Sequence, residues 1–137
     1  MKKLLTSPLI KRKLTSQMST KVFGAPIDTL AYKVISDDES DVIPFILFRL
    51  CHYIEDSGGL CQEGLFRISG NAKLIEKLKN SFDSTGDAPL ESEGDIPSAS
   101  GLLKLFLREL PKPLIGESSL FLDVIKGNNH SSDNNNT

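Results

Sequence analysis

Three stretches of the chain repeat apolar residues at helical spacing, and the rest is arranged between them. From about Asp41 to Ser57, Ile43, Ile46, Leu47, Leu50 and Ile54 recur in steps of three and four, with Phe45, Phe48 and Tyr53 widening the stripe. Pro44 falls in the first turn of this predicted helix, and Gly58-Gly59 stop it where a left-handed residue is needed. A second helix is predicted over Asn71–Phe82, with Ser69 or Asn71 as its N-cap. Its apolar face is Leu74, Ile75, Leu78 and Phe82, and Lys73, Glu76, Lys77 and Lys79 make the solvated face. The third runs from Ser98, after Pro97, to Leu110, before Pro111; Leu102, Leu103, Phe106, Leu107 and Leu110 line its buried side. Leu120, Phe121, Val124 and Ile125 begin a fourth within Glu117–Lys126.

The intervening segments read more simply. Residues 1–20 are rich in Ser, Thr and Lys without a sustained period, which predicts a flexible basic lead-in. Val22-Phe23-Gly24-Ala25-Pro26-Ile27 is apolar but too short for a helix. Asp28–Asp41, with the acid cluster Asp37-Asp38-Glu39-Ser40-Asp41, reads as a solvated loop leading into the first helix, and Ser84–Glu93 as a second loop. Leu110-Pro111-Lys112-Pro113-Leu114 is forced into an extended turn, because each proline disfavours helix before it. The Asn-rich end, 127–137, is low complexity and predicts disorder. His52 sits among core-like residues and reads as structural, while Glu55 and Asp56 oppose the dipole at the end of the first helix.

Composition narrows the class. At 137 residues, 39% hydrophobic and 25% charged, the chain fits one ordinary globular domain. The net charge of −2 hides an asymmetry: residues 1–27 hold six Lys or Arg and no acid, and the other 110 carry 10 basic against 18 acidic groups. A basic head of this kind is usually a solvated tail, with a weak possible contact to an anionic membrane surface; it lacks the interleaved aromatics of a nucleic-acid binder. No run approaches the ~20 apolar residues of a membrane span. Pro8 and the basic residues after it argue against a signal peptide, and the head is only weakly like a mitochondrial presequence. Cys51 and Cys61, without ligand-spaced histidines, make neither a disulfide framework nor a zinc site, although a bridge between them stays open. These features predict a cytoplasmic protein. No Walker-type loop, HExxH or GxSxG motif, and no distinctive carboxylate pair, points to an enzyme of its own.

One loop stands out. Gly58–Asn71 joins the first two helices, carries four glycines, and sets Arg67 among Leu65, Phe66 and Ile68. The apolar neighbours predict a loop tied to the core with the arginine pointing outward. Taken alone, the motif reads first as a surface arginine that caps a helix or pairs with a carboxylate. In the third helix Lys104 and Arg108 are four residues apart and so project the same way, as a pair serving one site or as two solvated cations.

Together, Glu63-Gly64-Leu65-Phe66-Arg67-Ile68-Ser69-Gly70 and Leu102-Leu103-Lys104-Leu105-Phe106-Leu107-Arg108-Glu109-Leu110-Pro111-Lys112-Pro113-Leu114, in this order, resemble the first half of a Rho GTPase-activating (RhoGAP) domain. The resemblance covers about Lys21–Lys126, residues 21–27 being similar to the segment that opens such domains and packs across their body. It implies an all-α fold, a partial RhoGAP-type helical bundle, and a sheet of three or more strands would overturn it. It implies that Arg67 is an arginine finger inserted into the active site of a Rho-family GTPase in its GTP-bound state. It further implies that Lys104 lies close to the GTPase, that Arg108 braces the finger loop, and that no cofactor is needed. All three side chains would then share one side of the bundle.

RhoGAP domains usually continue with further helices and a motif of the kind NKMxxxNLAxVFGP, which has no counterpart here. The expectation is therefore an activator weakened by truncation. A truncated, catalytically inactive fragment, or a helical interaction module with an incidental arginine, are the alternatives.

Overall fold

The computed structural model describes residues 10–11, 21–116 and 118–128. Its body is three helices: α1 (Phe45–Asp56), α2 (Ala72–Thr85) and α4 (Ile96–Glu109), with α4 packed against both of the others. A single turn, α3 (Leu90–Glu93), lies between α2 and α4, and α5 (Ser118–Asn128) follows the proline turn. Leu50, Leu78, Phe82, Leu90, Leu102 and Phe106 are fully buried at the centre.

The N-terminal flank departs from expectation. Three short strands, β1 (Ile10–Lys11), β2 (Tyr32–Val34) and β3 (Val42–Pro44), form an antiparallel sheet in that order. Ile10 pairs with Lys33 in β2, and Lys33 pairs in turn with Ile43 in β3. Two expectations are corrected here. The stretch 28–41 contains a strand and is not only a loop, and α1 starts at Phe45, four residues later than its periodicity suggested. The cause is Pro44. It disfavours helix in Ile43, β-branched Val42 and Ile43 suit a strand, and Pro44 becomes the residue before α1 rather than part of its first turn. Phe45 N then donates to Ala31 O at 2.8 Å. A sheet of two- and three-residue strands leaves the molecule mostly helical, so its mere existence is too strict a test of the fold class.

The connection between β2 and β3 explains the acid cluster. Asp38 Oδ1 accepts from Ser36 Oγ, Ser40 Oγ and Ser40 N, and these bonds, led by the Ser40 hydroxyl, lower its pKa to about 2. Ahead of the sheet, Phe23 is buried edge-on against Phe106, with ring centroids 5.8 Å apart. Asp83 Oδ1 of α2 accepts from both Val22 N (2.8 Å) and Phe23 N (2.9 Å). Residues 21–27 therefore do cross the body, held by one buried ring and one carboxylate.

The helix ends follow local chemistry. Asn71 Oδ1 accepts from Lys73 N and Leu74 N at the start of α2. Asp95 Oδ1 accepts from Ser98 N at the start of α4, which begins at Ile96 and takes Pro97 inside its first turn. Gly58, at φ 80°, ends α1 in the left-handed region. The presumed loop 84–93 includes α3, and Arg49 clips it to α1 through Glu91 (2.6 Å to each oxygen), Asp87 (3.1 Å) and Ala88 O (3.3 Å). The Glu91 hydrogen bonds raise the Arg49 pKa, and the same bonds lower that of Glu91.

One smaller expectation is also corrected, and two readings gain detail. Leu107 is exposed rather than buried, although Leu103 and Leu110 on either side of it pack against the core. His52 is an exposed residue, stacked on Phe48 and 3.2 Å from Asp56 Oδ2. Cys51 and Cys61 are free and exposed, with no bridge between them. The predicted disorder at the termini lies outside the described residues, except that Ile10–Lys11 is a strand and Gly127–Asn128 end α5.

Candidate functional site

The loop between α1 and α2 is built from two tight turns. A 3-10 turn spans Gly59–Cys61, and a second closes where Arg67 N and Ile68 N both donate to Gly64 O at 2.9 Å. Arg67 stands at that second turn, exposed. A methyl group built on Gly64 would lie 3.2 Å from Arg67 Nη2 and 3.3 Å from Nε, so the guanidinium rests back over the glycine. Among the described residues no carboxylate pairs with Arg67, and it caps no helix.

Only part of the apolar support predicted for the loop is present. Leu65 is half-buried against the core, whereas Phe66 and Ile68 are 53% and 44% exposed, beside Leu60 at 70%. The loop is held chiefly by hydrogen bonds from α4. Ser100 Oγ donates to Leu65 O (2.9 Å), Lys104 Nζ donates to Phe66 O (2.7 Å), and Ser98 Oγ accepts from Asn71 N (3.1 Å). Both serines are fully buried. Where the loop ends, Gly70 approaches α4 so closely that a Cβ would meet Ser98 Cα at 2.6 Å, and no other residue fits there.

Lys104 thus reaches the peptide next to Arg67, and the two lie together. Arg108 stands one turn further along α4, exposed; among the described residues it makes no hydrogen bond to the loop and no ion pair. It is Lys104 that touches the loop, where the resemblance gave that place to Arg108. The lysines of α2 are partly engaged elsewhere: Lys77 Nζ is 2.6 Å from Glu93 Oε2, and Lys79 Nζ is 3.1 Å from Glu109 Oε1. Ser98 and Ser100 were missed by sequence reasoning. The available signal was two serines in the first turns of an apolar helix, where alanine would have been the better helix former.

The exposed arginine, a loop fastened beneath it by α4, and a mostly helical body agree with the comparison to known proteins. Residues 44–136 match the RhoGAP domain, and the chain belongs to that family. The small N-terminal sheet accordingly does not count against it. The chain is 34% identical over 125 residues to Rho GTPase-activating protein gacY of Dictyostelium discoideum, covering 90% of this chain and 17% of the relative. Over 107 residues it is 33% identical to Rho GTPase-activating protein 24 of Homo sapiens, covering 77% and 14%. Over 133 residues it is 31% identical to GTPase-activating protein BEM3 of Saccharomyces cerevisiae, covering 83% and 12%. The chain spans less than a fifth of the length of each of these relatives.

Proposed function

We propose that this chain stimulates GTP hydrolysis by a Rho-family small GTPase in its GTP-bound state, supplying Arg67 in trans. The observation that carries the reading is the state of Arg67. It is a permanently charged guanidinium on an exposed turn, free of any carboxylate among the described residues, with its backbone fastened from below.

The chemistry follows from charge. As the γ-phosphoryl group transfers to water, negative charge grows on its oxygens. A planar guanidinium stabilises that charge with paired hydrogen bonds that lysine cannot reproduce. Such an arginine is worth about 10³ to 10⁵ in rate. The chain performs no reaction alone, because nucleotide, metal and attacking water belong to the GTPase. Lys104 supports the reading as the cation that holds the peptide before Arg67, and Arg108 as a second cation near the same end of α4.

The test is single-turnover GTP hydrolysis by Rho-, Rac- and Cdc42-type GTPases, with the full chain and with its Arg67→Ala variant. Stimulation of at least one GTPase that the variant loses is the expected result. Stimulation that survives Arg67→Ala would remove the finger assignment.

A further inference from the structure

We propose that Ser98 and Ser100 are positioning residues for Arg67, fastening both ends of its turn to α4; the inference rests on the finger reading above. The two hydroxyls bracket the arginine in sequence. Ser100 holds the carbonyl of Leu65, two residues before Arg67, and Ser98 holds the amide of Asn71, four residues after it. Among the described residues, the other hydrogen bonds that close the turn are its own to Gly64 O and the one from the exposed Lys104 ammonium.

Both serines are fully buried in a helix whose other buried residues are Ala99, Leu102 and Phe106. A hydroxyl in such surroundings is unfavourable unless its hydrogen bonds are made, and alanine would pack there without one. Their partners are backbone groups of the loop, which would lose those bonds if the serines were replaced. Ser98 has a second constraint, since Gly70 lies against its backbone and leaves no slack at that end.

The Ser100 bond also has a built-in alternative. Its hydroxyl carries one proton but has two acceptors, Leu65 O and its own helix's Pro97 O, each at 2.9 Å. The O–H can turn to Pro97 O when the loop moves, so Ser100 keeps a partner whether the turn is docked or lifted. Ser98, by contrast, shares its partner with the N-terminus of α2: the N–H it accepts from belongs to Asn71, the α2 N-cap. Ser98 therefore anchors the turn, and Ser100 sets how firmly its leading half is seated.

The experiment compares the full chain with Ser100→Ala, Ser98→Ala, Arg67→Ala and the double variant Ser100→Ala/Arg67→Ala. The readouts are single-turnover GTP hydrolysis over a range of chain concentrations, and amide hydrogen exchange of the chain alone. Ser100→Ala is expected to lower the saturating rate by about 10- to 100-fold, as a misplaced group of this kind does. The half-saturating concentration should stay within about twofold, because binding area is untouched. The Arg67 and Ile68 amides should exchange faster while those of α1 and α2 do not. In the Arg67→Ala background, Ser100→Ala should cost nothing further. Ser98→Ala should speed exchange at Asn71 and the start of α2 as well.

Loop exchange unchanged by both serine variants would overturn the proposal, as would a loss that adds in full to that of Arg67→Ala or that lies only in the half-saturating concentration. If Arg67→Ala itself retains full activity, or the chain stimulates no GTPase, the finger reading falls. The exchange measurement then still decides whether the serines hold the turn.

Discussion

Two segments outside the main helices lie against the helical body, and they are held in opposite ways. Residues 21–34 bury Phe23, Leu30 and Val34, so apolar area fixes them, with Asp83 satisfying two of their amides. Residues 58–71 bury only Gly59, leave Phe66 and Ile68 exposed, and depend on three hydrogen bonds from α4. Burial is strong but undirected, so it can hold a strap in place. Hydrogen bonds contribute less each but fix distance and direction, which is what a group that must meet a phosphate requires. Changes in the first segment should therefore appear as lost stability, and changes in the second as lost activation.

The largest expected effect is on the second side. Arg67→Ala should remove about 10³ or more of the stimulated rate, some 4 kcal/mol of barrier, with no shift in melting temperature. If this variant melted several degrees lower, the loop would be a structural element and the contrast would be lost.

Phe23→Ala should do the reverse. Deleting a fully buried ring that packs on Phe106 costs about 3 to 5 kcal/mol, a large share of the roughly 5 to 15 that domains possess. Denaturant melts would register it, and a drop below 1 kcal/mol would mean that the segment is only loosely attached. Asp83→Ala is milder. It leaves the Val22 and Phe23 amides without their shared acceptor and should cost about 1 to 3 kcal/mol, with Asp83→Asn recovering much of it.

Arg49→Met touches neither segment and serves as a control, with an expected loss of about 1 to 2 kcal/mol. It also carries a pH signature. Hydrogen bonding to Arg49 depresses the Glu91 pKa below its ordinary 4.5. The bonded carboxylate therefore adds stability that is complete above pH 4.5 and fades as pH falls through the lower folded-state value. Melting temperatures at pH 6 and at pH 3 should differ less in Arg49→Met than in the parent chain, and equal differences would show that the clip contributes nothing.

The smallest effect should come from Lys104→Met. Its bond to Phe66 O is short and charge-assisted but exposed, so a loss of about 2- to 10-fold in stimulated rate is expected, with stability unchanged. A larger loss, with weaker binding, would place Lys104 against the partner instead of the loop.

Much of this was legible in the order of residues. Helical periodicity located α1, α2 and α4, because a stripe of apolar side chains every three or four positions can be buried only by a helix. Asn71 as the cap of α2 and Gly58 as the stop of α1 rest on bonds made within a few residues, so they were readable locally. The two motifs around Arg67 and Lys104 were sufficient to mark the family. Pro44 was read as compatible with a helix; only its pairing with Tyr32 across the sheet showed that it ends a strand. Leu107 was placed inside by its apolar neighbours in sequence, but the direction from which other helices pack decides burial. The attachment of the finger turn was decided by tertiary structure in the same sense. Ser98 and Ser100 are about thirty residues from the groups they hold, and a hydroxyl has no periodicity to betray its partner. Sequence by itself determined which residues carry charge and which stripes seek the core. Where Arg67 stands, and what fastens it there, followed only once α4 had packed beneath the loop, because hydrogen bonds between distant segments exist only when packing brings them within about 3 Å.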